Sequence, residues 1–332
     1  MVTLRDVAKE AGVSAATASL ALNNSDKVNI DTLKKVQKIA RELNYIPDAR
    51  AKALTKKSTK IIGLVVPEIN NPFFADLAQA IKMKLNESDY SIILCGTQND
   101  PKEEKKYIDM FRSGMVDGAI FTCLTEVNNS FITELASNHI PVVYIDRIGD
   151  DGGIIPIVKS NLKDGGYQIT RHLIKLGHKK IAYIGRKDEE RYAGFKDAML
   201  EFGCEINKDY IFDKYHAFES GVKAGFMLNN LEDKPTGIIC FNDETAIGLM
   251  QTLIKFDFNI PKDFSVCGID NIDVAKYYSP SLTTIDIPKK KMGKKAAEIL
   301  LKLIAGKEVE KEDYFINYQV KLIERDSSSK LE

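Results

Sequence analysis

Several groups of polar residues share one kind of placement, directly after a short apolar run: Asn71 with Phe73 and Phe74, Asp146 with Arg147, Asn242 with Asp243, and Asp270 with Asn271. Arg191 stands just ahead of Gly194 and Phe195. Carboxylates, amides and guanidinium groups can bracket adjacent hydroxyls as paired donors and acceptors, while aromatic rings cover the apolar faces of a sugar ring. This is monosaccharide-binding chemistry. Arg191 and Asp270 read as ligand groups, Asp243 as a cap for the helix that follows it, and Phe195 as core. Residues His172 and His178 read as a surface helix residue and a helix-end residue, and no Ser/His/Asp set announces itself.

The elements that must position these groups are legible as KIIGLVVPE, SIILCGT, GAIFTCL, PVVYIDR, KKIAYIG, TGIICFND and FSVCGIDN. They are short, β-branched and nearly continuous, as strands buried on both faces of a parallel sheet should be, and helical stretches alternate with them. The predicted class is α/β. The runs fall into two groups, before and after about Ser160, which predicts two doubly wound lobes and a cleft where ligands meet the carboxyl ends of the strands. No GxGxxG or GxxxxGK[ST] opens any of these units, so a dinucleotide enzyme or phosphate-loop NTPase lacks its fingerprint. Neither enzyme activity nor a cofactor is expected.

The first sixty residues follow a different pattern. Thr3 with Asp6 reads as a capping pair, and Leu4, Val7, Ala8 and Ala11 recur at helical spacing until Gly12. Ser14 can cap a second helix whose Ala18, Ala21 and Leu22 face inward, leaving Ala15, Ala16, Thr17, Ser19, Leu20 and Asn23 outside. A third helix is predicted from about Ile30 to Leu43, with Pro47 blocking its continuation. Helix, glycine-containing turn and helix form the arrangement whose second helix enters the DNA major groove. Charge agrees. Residues 1–60 hold 12 Lys and Arg against 6 Asp and Glu, whereas the remaining residues hold 35 against 41, so a formally neutral chain has a basic head that suits a polyanion.

With 332 residues and 44% apolar content, the chain can build more than one domain. No window approaches eighteen consecutive apolar residues, and Arg5, Asp6, Lys9 and Glu10 stand where a signal peptide needs an apolar core, so the expected location is cytoplasmic with no membrane partner. Cys95, Cys123, Cys204, Cys240 and Cys267 are odd in number and widely spaced, which suits reduced thiols rather than disulfides or a metal site.

The run TLRDVAKEAGVSAATAS, continued by RELNYIPDARAKAL, resembles the head of the lactose and galactose repressor family (LacI/GalR). That resemblance implies a hinge helix at Asp48 to Leu54 that folds on DNA, with Leu54 as the wedge that kinks the duplex at the minor groove. Thr3, Ser14, Ala15, Ala16, Thr17, Ser19, Leu20, Asn23, Lys27, Arg50, Lys52 and Leu54 are the expected DNA-facing residues, with Lys56, Lys57 and Lys60 adding phosphate attraction. Leu20 replaces the arginine that members of the family commonly place after the serine of the second helix, so base reading leans on thymine methyls and DNA shape.

From Lys60 to about Arg325 the chain is similar to periplasmic sugar-binding proteins, most closely the ribose type. The resemblance implies effector contacts from Asn71, Phe73, Phe74, Asp146, Arg147, Arg191, Phe218, Asn242, Asp270 and Asp286. Asp286 is acidic where an amide would be expected. The expected organisation is a helix-turn-helix domain at 1–46, a hinge at 47–59, a two-lobed effector-binding and dimerisation domain at 60–326 and a disordered tail at 327–332. The expected function is a sugar-responsive repressor that binds a palindromic operator as a homodimer, with a purine- or protein-corepressed regulator as the alternative. A transport sugar-binding protein would share the body, without the DNA-binding head.

Overall fold

In a computed structural model the chain is described at residues 2–46, 58–122, 128–138, 140–147, 153–187, 189–213 and 217–331. It divides into two compact units, residues 1–60 and residues 61–332.

The first unit holds α1 (Leu4–Ala11), α2 (Ala15–Leu22) and α3 (Ile30–Glu42). Thr3 and Asp6 close a reciprocal capping box, with the Thr3 amide donating to the Asp6 carboxylate at 2.8 Å. Gly12 ends α1 at φ 68°, a left-handed conformation open to glycine at little cost. Ser14 Oγ accepts from the Thr17 amide at 3.0 Å and so starts α2. Val7, Ala8, Ala11, Ala18, Ala21, Val36 and Ala40 form the small common core. Such short helices are stable only through this shared packing. Arg50, Lys52 and Leu54, together with the expected hinge helix, lie outside the described residues.

The second unit contains two six-stranded sheets. Its strands are β1 (Ile61–Val66), β2 (Ser91–Gly96), β3 (Gly118–Phe121), β4 (Val142–Ile145), β5 (Ile157–Ser160), β6 (Ile181–Ile184), β7 (Ile211–Phe212), β8 (Gly237–Cys240), β9 (Ser265–Asp270), β10 (Thr283–Asp286), β11 (Phe315–Tyr318) and β12 (Lys321–Ile323). The first sheet runs β11-β5-β4-β3-β1-β2 with every neighbouring pair parallel. The second runs β12-β10-β9-β8-β6-β7, parallel except for β10 against β12. The helices are α4 (Pro72–Asn86), α5 (Pro101–Met110), α6 (Asn129–Ser137), α7 (Leu162–Lys175), α8 (Glu190–Glu201), α9 (Ala217–Asn229), α10 (Asp243–Lys255) and α11 (Lys289–Ile304). All seven apolar runs become strands; six are largely buried, whereas β2, at the edge of its sheet, buries only Cys95.

A single division at Ser160 does not describe the lobes. After β10 the chain returns to the first lobe, where α11 packs on α4 and β11 joins the first sheet, and then goes back to the second lobe as β12. Three segments therefore connect the lobes, at 160–162, 286–289 and 318–321. At the sheet edges, β11 alternates exposed and half-buried residues and β12 is a three-residue strand with none fully buried, so no long apolar run marks them in the sequence.

Residues 327–331 are ordered, contrary to the expected tail. Ser327 is fully buried, donates through Oγ to the Val266 carbonyl at 2.6 Å and accepts from the Thr283 amide at 2.8 Å. His172 and His178 are buried as well: His172 Nε2 lies 2.9 Å from Ser328 Oγ, and His178 Nε2 lies 3.0 Å from the Ser329 carbonyl. Ser327 can be interior because its hydroxyl finds both an acceptor and a donor there, while Ser328 and Ser329 are half-buried. Cys95, Cys240 and Cys267 are buried free thiols, Cys204 is half-buried, and Cys123 lies outside the described residues.

Candidate effector site between the lobes

The interlobe cleft has about 680 Å³ of atom-free space, part of it open to solvent. From the first lobe, Asn71 caps α4 by accepting from the Phe73 amide at 2.9 Å, which fixes its oxygen and leaves its amide nitrogen for a ligand. Phe73 and Phe74 meet edge to face, with centroids 5.2 Å apart. Asp146 follows β4 at φ 47°, and its carboxylate accepts from the Ser160 amide at 2.7 Å and the Ser160 hydroxyl at 3.0 Å.

From the second lobe, Asn242 caps α10 by accepting from the Thr245 amide at 2.9 Å, again leaving its amide nitrogen. Asp270 ends β9 at φ 121°, a conformation that side-chain-bearing residues rarely adopt and that persists only where surroundings over-determine it. Arg191 opens α8 with Nη2 4.0 Å from Asp270 Oδ1 and Nη1 3.5 Å from Glu189 Oε2. Its backbone seat is set by close helix packing. A Cβ on Gly166 of α7 would stand 2.1 Å from the Arg191 carbonyl oxygen, so only glycine allows the approach.

Burial dominates the electrostatics. It pushes the Asp146 carboxyl up to about 6, against the lowering influence of the Ser160 bonds and the Arg191 charge. Burial likewise pushes Asp270 well up, opposed by Arg191. For Arg191, burial works against the charge, but the carboxylates of Glu189 and Asp270 outweigh it and the guanidinium stays charged. Among the described residues, the buried Nε of Arg191 has no hydrogen-bond partner. Glu244 rises to about 7 through burial and the neighbouring Glu68 charge.

Asn71, Phe73, Phe74, Asp146, Arg191, Asn242 and Asp270 thus line one cleft. Three expected residues lie outside this lining. Arg147 is 2% exposed and faces away, with Nη1 2.6 Å from Glu104 Oε1 and Nη2 2.6 Å from Asn129 Oδ1. Just past the end of β4, Asp146 faces the cleft while Arg147 turns to Glu104 of α5 and Asn129 of α6. Phe218 is 40% exposed in the first turn of α9, and the preceding Ala217 lines the cleft. Asp286 accepts from Asn271 Nδ2 at 2.9 Å and supports the strand end behind Asp270. Nor does Asp243 cap its helix. It is fully buried, accepts from the Ile272 amide and the Thr284 hydroxyl, and rises to about 7 through burial. Phe195 is core. Glu68, Thr122 and Phe241 line the cleft without having been singled out, although Phe241 directly precedes Asn242 and a strand-end rule extended by one residue would have found it.

In the first unit Thr3, Ser14, Ala15, Ala16, Leu20, Asn23 and Lys27 are exposed, while Thr17 and Ser19 are half-buried. Leu20, at 39% exposure, is a large apolar side chain left outside the small core. Asn23 Nδ2 is engaged by the Ser19 carbonyl at 2.8 Å.

Residues 3–48 match the family model described as bacterial regulatory proteins, lacI family, and residues 170–328 match a periplasmic binding protein-like domain. The chain is 37% identical over 338 residues to the HTH-type transcriptional repressor PurR of Vibrio vulnificus, covering 100% of each. It is 36% identical over 323 residues to PurR of Photobacterium profundum, covering 96% of each. Among solved structures, a Lac repressor dimer bound to operator and the anti-inducer ONPF superposes with a TM-score of 0.84 at 25% identity over 99% of each chain. A LacI family transcriptional regulator from Enterococcus faecium with bound ribose matches at a TM-score of 0.73 and 30% identity, over 82% of this chain and 100% of that one.

Proposed function

The chain belongs to the lacI family of bacterial regulatory proteins, DNA-binding transcriptional repressors, and from that premise we propose that it binds a palindromic operator as a cytoplasmic homodimer and is switched by an uncharged ring compound in the interlobe cleft. The observation that carries the ligand reading is Arg191. A guanidinium buried beside Asp270, with Nε unpartnered, keeps a desolvation cost that a ligand acceptor would relieve. Donors on Arg191, Asn71 and Asn242 and acceptors on Asp146 and Asp270 line the same cleft, together with Phe74 and Phe241.

Our first reading of the ligand is a free purine base, whose ring carries both N–H donors and ring-nitrogen or carbonyl acceptors and has flat faces for aromatic contact. It is supported by whole-length relatives named PurR, which stand nearer to this alternative than to the sugar expectation. A monosaccharide is the second reading, favoured by the ribose-bound relative and by the fit of the same polar groups to hydroxyls. Either ligand changes operator affinity only to the extent that it binds the lobe arrangements unequally, about 1.4 kcal/mol for each tenfold.

Calorimetry against free purine bases, free pentoses and hexoses, and their phosphorylated counterparts tests this, with operator affinity measured beside each. Purine binding supports the first reading and pentose or hexose binding the second. Binding of phosphorylated compounds alone, or of none, would remove both.

A further inference from the structure

We propose that Lys289 is a positioning residue of the effector site, whose buried ammonium clamps the strand end presenting Asp270 and ties it to the helix presenting Asn71, Phe73 and Phe74. The inference rests on the cleft reading above for its effect on ligand affinity, and on geometry alone for its effect on the strand end.

Lys289 is the first residue of α11, at the end of the 286–289 connection, and is 6% exposed. A buried ammonium must find acceptors. Lys289 Nζ donates to the Asp270 carbonyl at 2.9 Å and the Asn271 carbonyl at 2.9 Å, and it lies 3.9 Å from Asp76 Oδ2 on α4. One cation thus gathers two consecutive carbonyls of the second lobe and reaches a carboxylate of the first. The gathered residues are the ones with unusual backbone, Asp270 at φ 121° and Asn271 at φ 48°. The rest of the turn is held from other sides: Asn271 Nδ2 donates to Asp286 Oδ1 at 2.9 Å, Asn271 Oδ1 accepts from Arg325 Nη2 at 2.7 Å, and the Ile272 amide donates to Asp243 Oδ2 at 2.8 Å. Without the ammonium, two converging carbonyl dipoles would face each other unneutralised, and the chain would relax toward ordinary φ values, rotating the Asp270 carboxylate away from Arg191.

Hydrogen exchange of the full chain, comparing the parent with Lys289→Met, Lys289→Gln and Lys289→Arg, reads the clamp without any ligand. In Lys289→Met, exchange of the segment around 270–272 should accelerate at least tenfold while α11 and β10 keep their rates, and Lys289→Arg should restore protection. If Lys289→Met does not fold, Lys289→Gln, neutral and of similar length, serves for the same comparison. Unchanged exchange at 270–272, or acceleration spread evenly over α11 and the sheets, overturns the proposal. Calorimetry with the free purine bases and free pentoses should then show at least a tenfold weaker affinity in Lys289→Met. Unchanged affinity in a variant whose exchange has accelerated overturns the link to the site. A parent that binds none of these probes counts against the effector class, and the exchange result by itself decides the clamp.

Discussion

Arg191 and Asp270, 4.0 Å apart at the second-lobe wall, form a pair in which each charge offsets the burial of the other. Replacing Arg191 by Met should weaken effector binding tenfold or more by calorimetry, since a buried partner left without its hydrogen bond costs about 1–3 kcal/mol. Phe218→Ala should leave the affinity within about twofold, because that ring lies outside the cleft lining. A larger loss would restore Phe218 to the site. Asp243 supplies a pH signature. Its folded-state value of about 7 lies above the usual 3.8, so the folded chain binds the additional proton across that interval, and the stability this provides below pH 3.8 is lost as pH rises through 7. Asp243→Asn has no such proton to lose. The destabilisation of this variant relative to the parent should therefore shrink by roughly 1–3 kcal/mol between pH 5 and pH 8 in thermal melts. A pH-independent difference would contradict this assignment.

Among the elements, the carboxyl-terminal segment is anchored to the second lobe through the buried Ser327. Deleting residues 327–332 removes the two Ser327 hydroxyl bonds and uncovers His172 and His178, whose pKa values burial holds below the usual 6.5. Ser327→Ala alone leaves the Thr283 amide without a partner, at a cost of about 1–3 kcal/mol and several degrees of melting temperature. The deletion should cost more and show it in calorimetric unfolding. The histidines make the effect depend on acid. With folded values depressed, their neutral forms contribute stability that is complete above pH 6.5 and is lost as pH falls through the folded values, so the parent should lose stability faster than a His178→Gln variant between pH 6.5 and 5. Parallel curves for the two proteins would count against the burial of a neutral ring.

For the molecule as a whole, the charge split of the chain predicts how operator binding responds to salt. A head with 12 basic residues against 6 acidic ones should lose roughly 10³–10⁵ in affinity between 50 and 200 mM salt if it makes six to ten phosphate contacts. A flat response would refute the electrostatic reading of the head. Phe226 and Met227 of α9 and Ile254 of α10 are exposed apolar side chains on two helices packed against one another, and we propose them as part of the contact of the homodimer. Ile254→Glu should shift sedimentation toward the monomer and weaken operator binding by the loss of bivalent engagement. A stable dimer in this variant would place the interface elsewhere.

The three short helices of the head, the α/β class and the seven apolar strands were legible because each rests on a local signal: a capping residue, a glycine, or an apolar run, which is largely buried in six of the strands and half-exposed in the edge strand β2. The strand-end polar residues were legible as a set for the same reason, since ligands of open α/β sheets gather at carboxyl ends of strands. Direction and partnership were not legible. Asp146 and Arg147 are adjacent in sequence, yet one faces the cleft and the other joins Glu104, 43 positions away, in a buried ion pair. Nothing local distinguishes Lys289 from Lys290 and Lys291 in a run of three lysines, but only the first lies beneath the Asp270 strand end. The serines at 327–329 look like a solvated tail until the lobe supplies His172, Thr283 and Val266 as their partners. Composition and spacing determine which elements form. Tertiary structure decides which polar groups are paired, because hydrogen-bond and charge partners come from distant parts of the chain, and in this body those distances arise from three passages between the lobes.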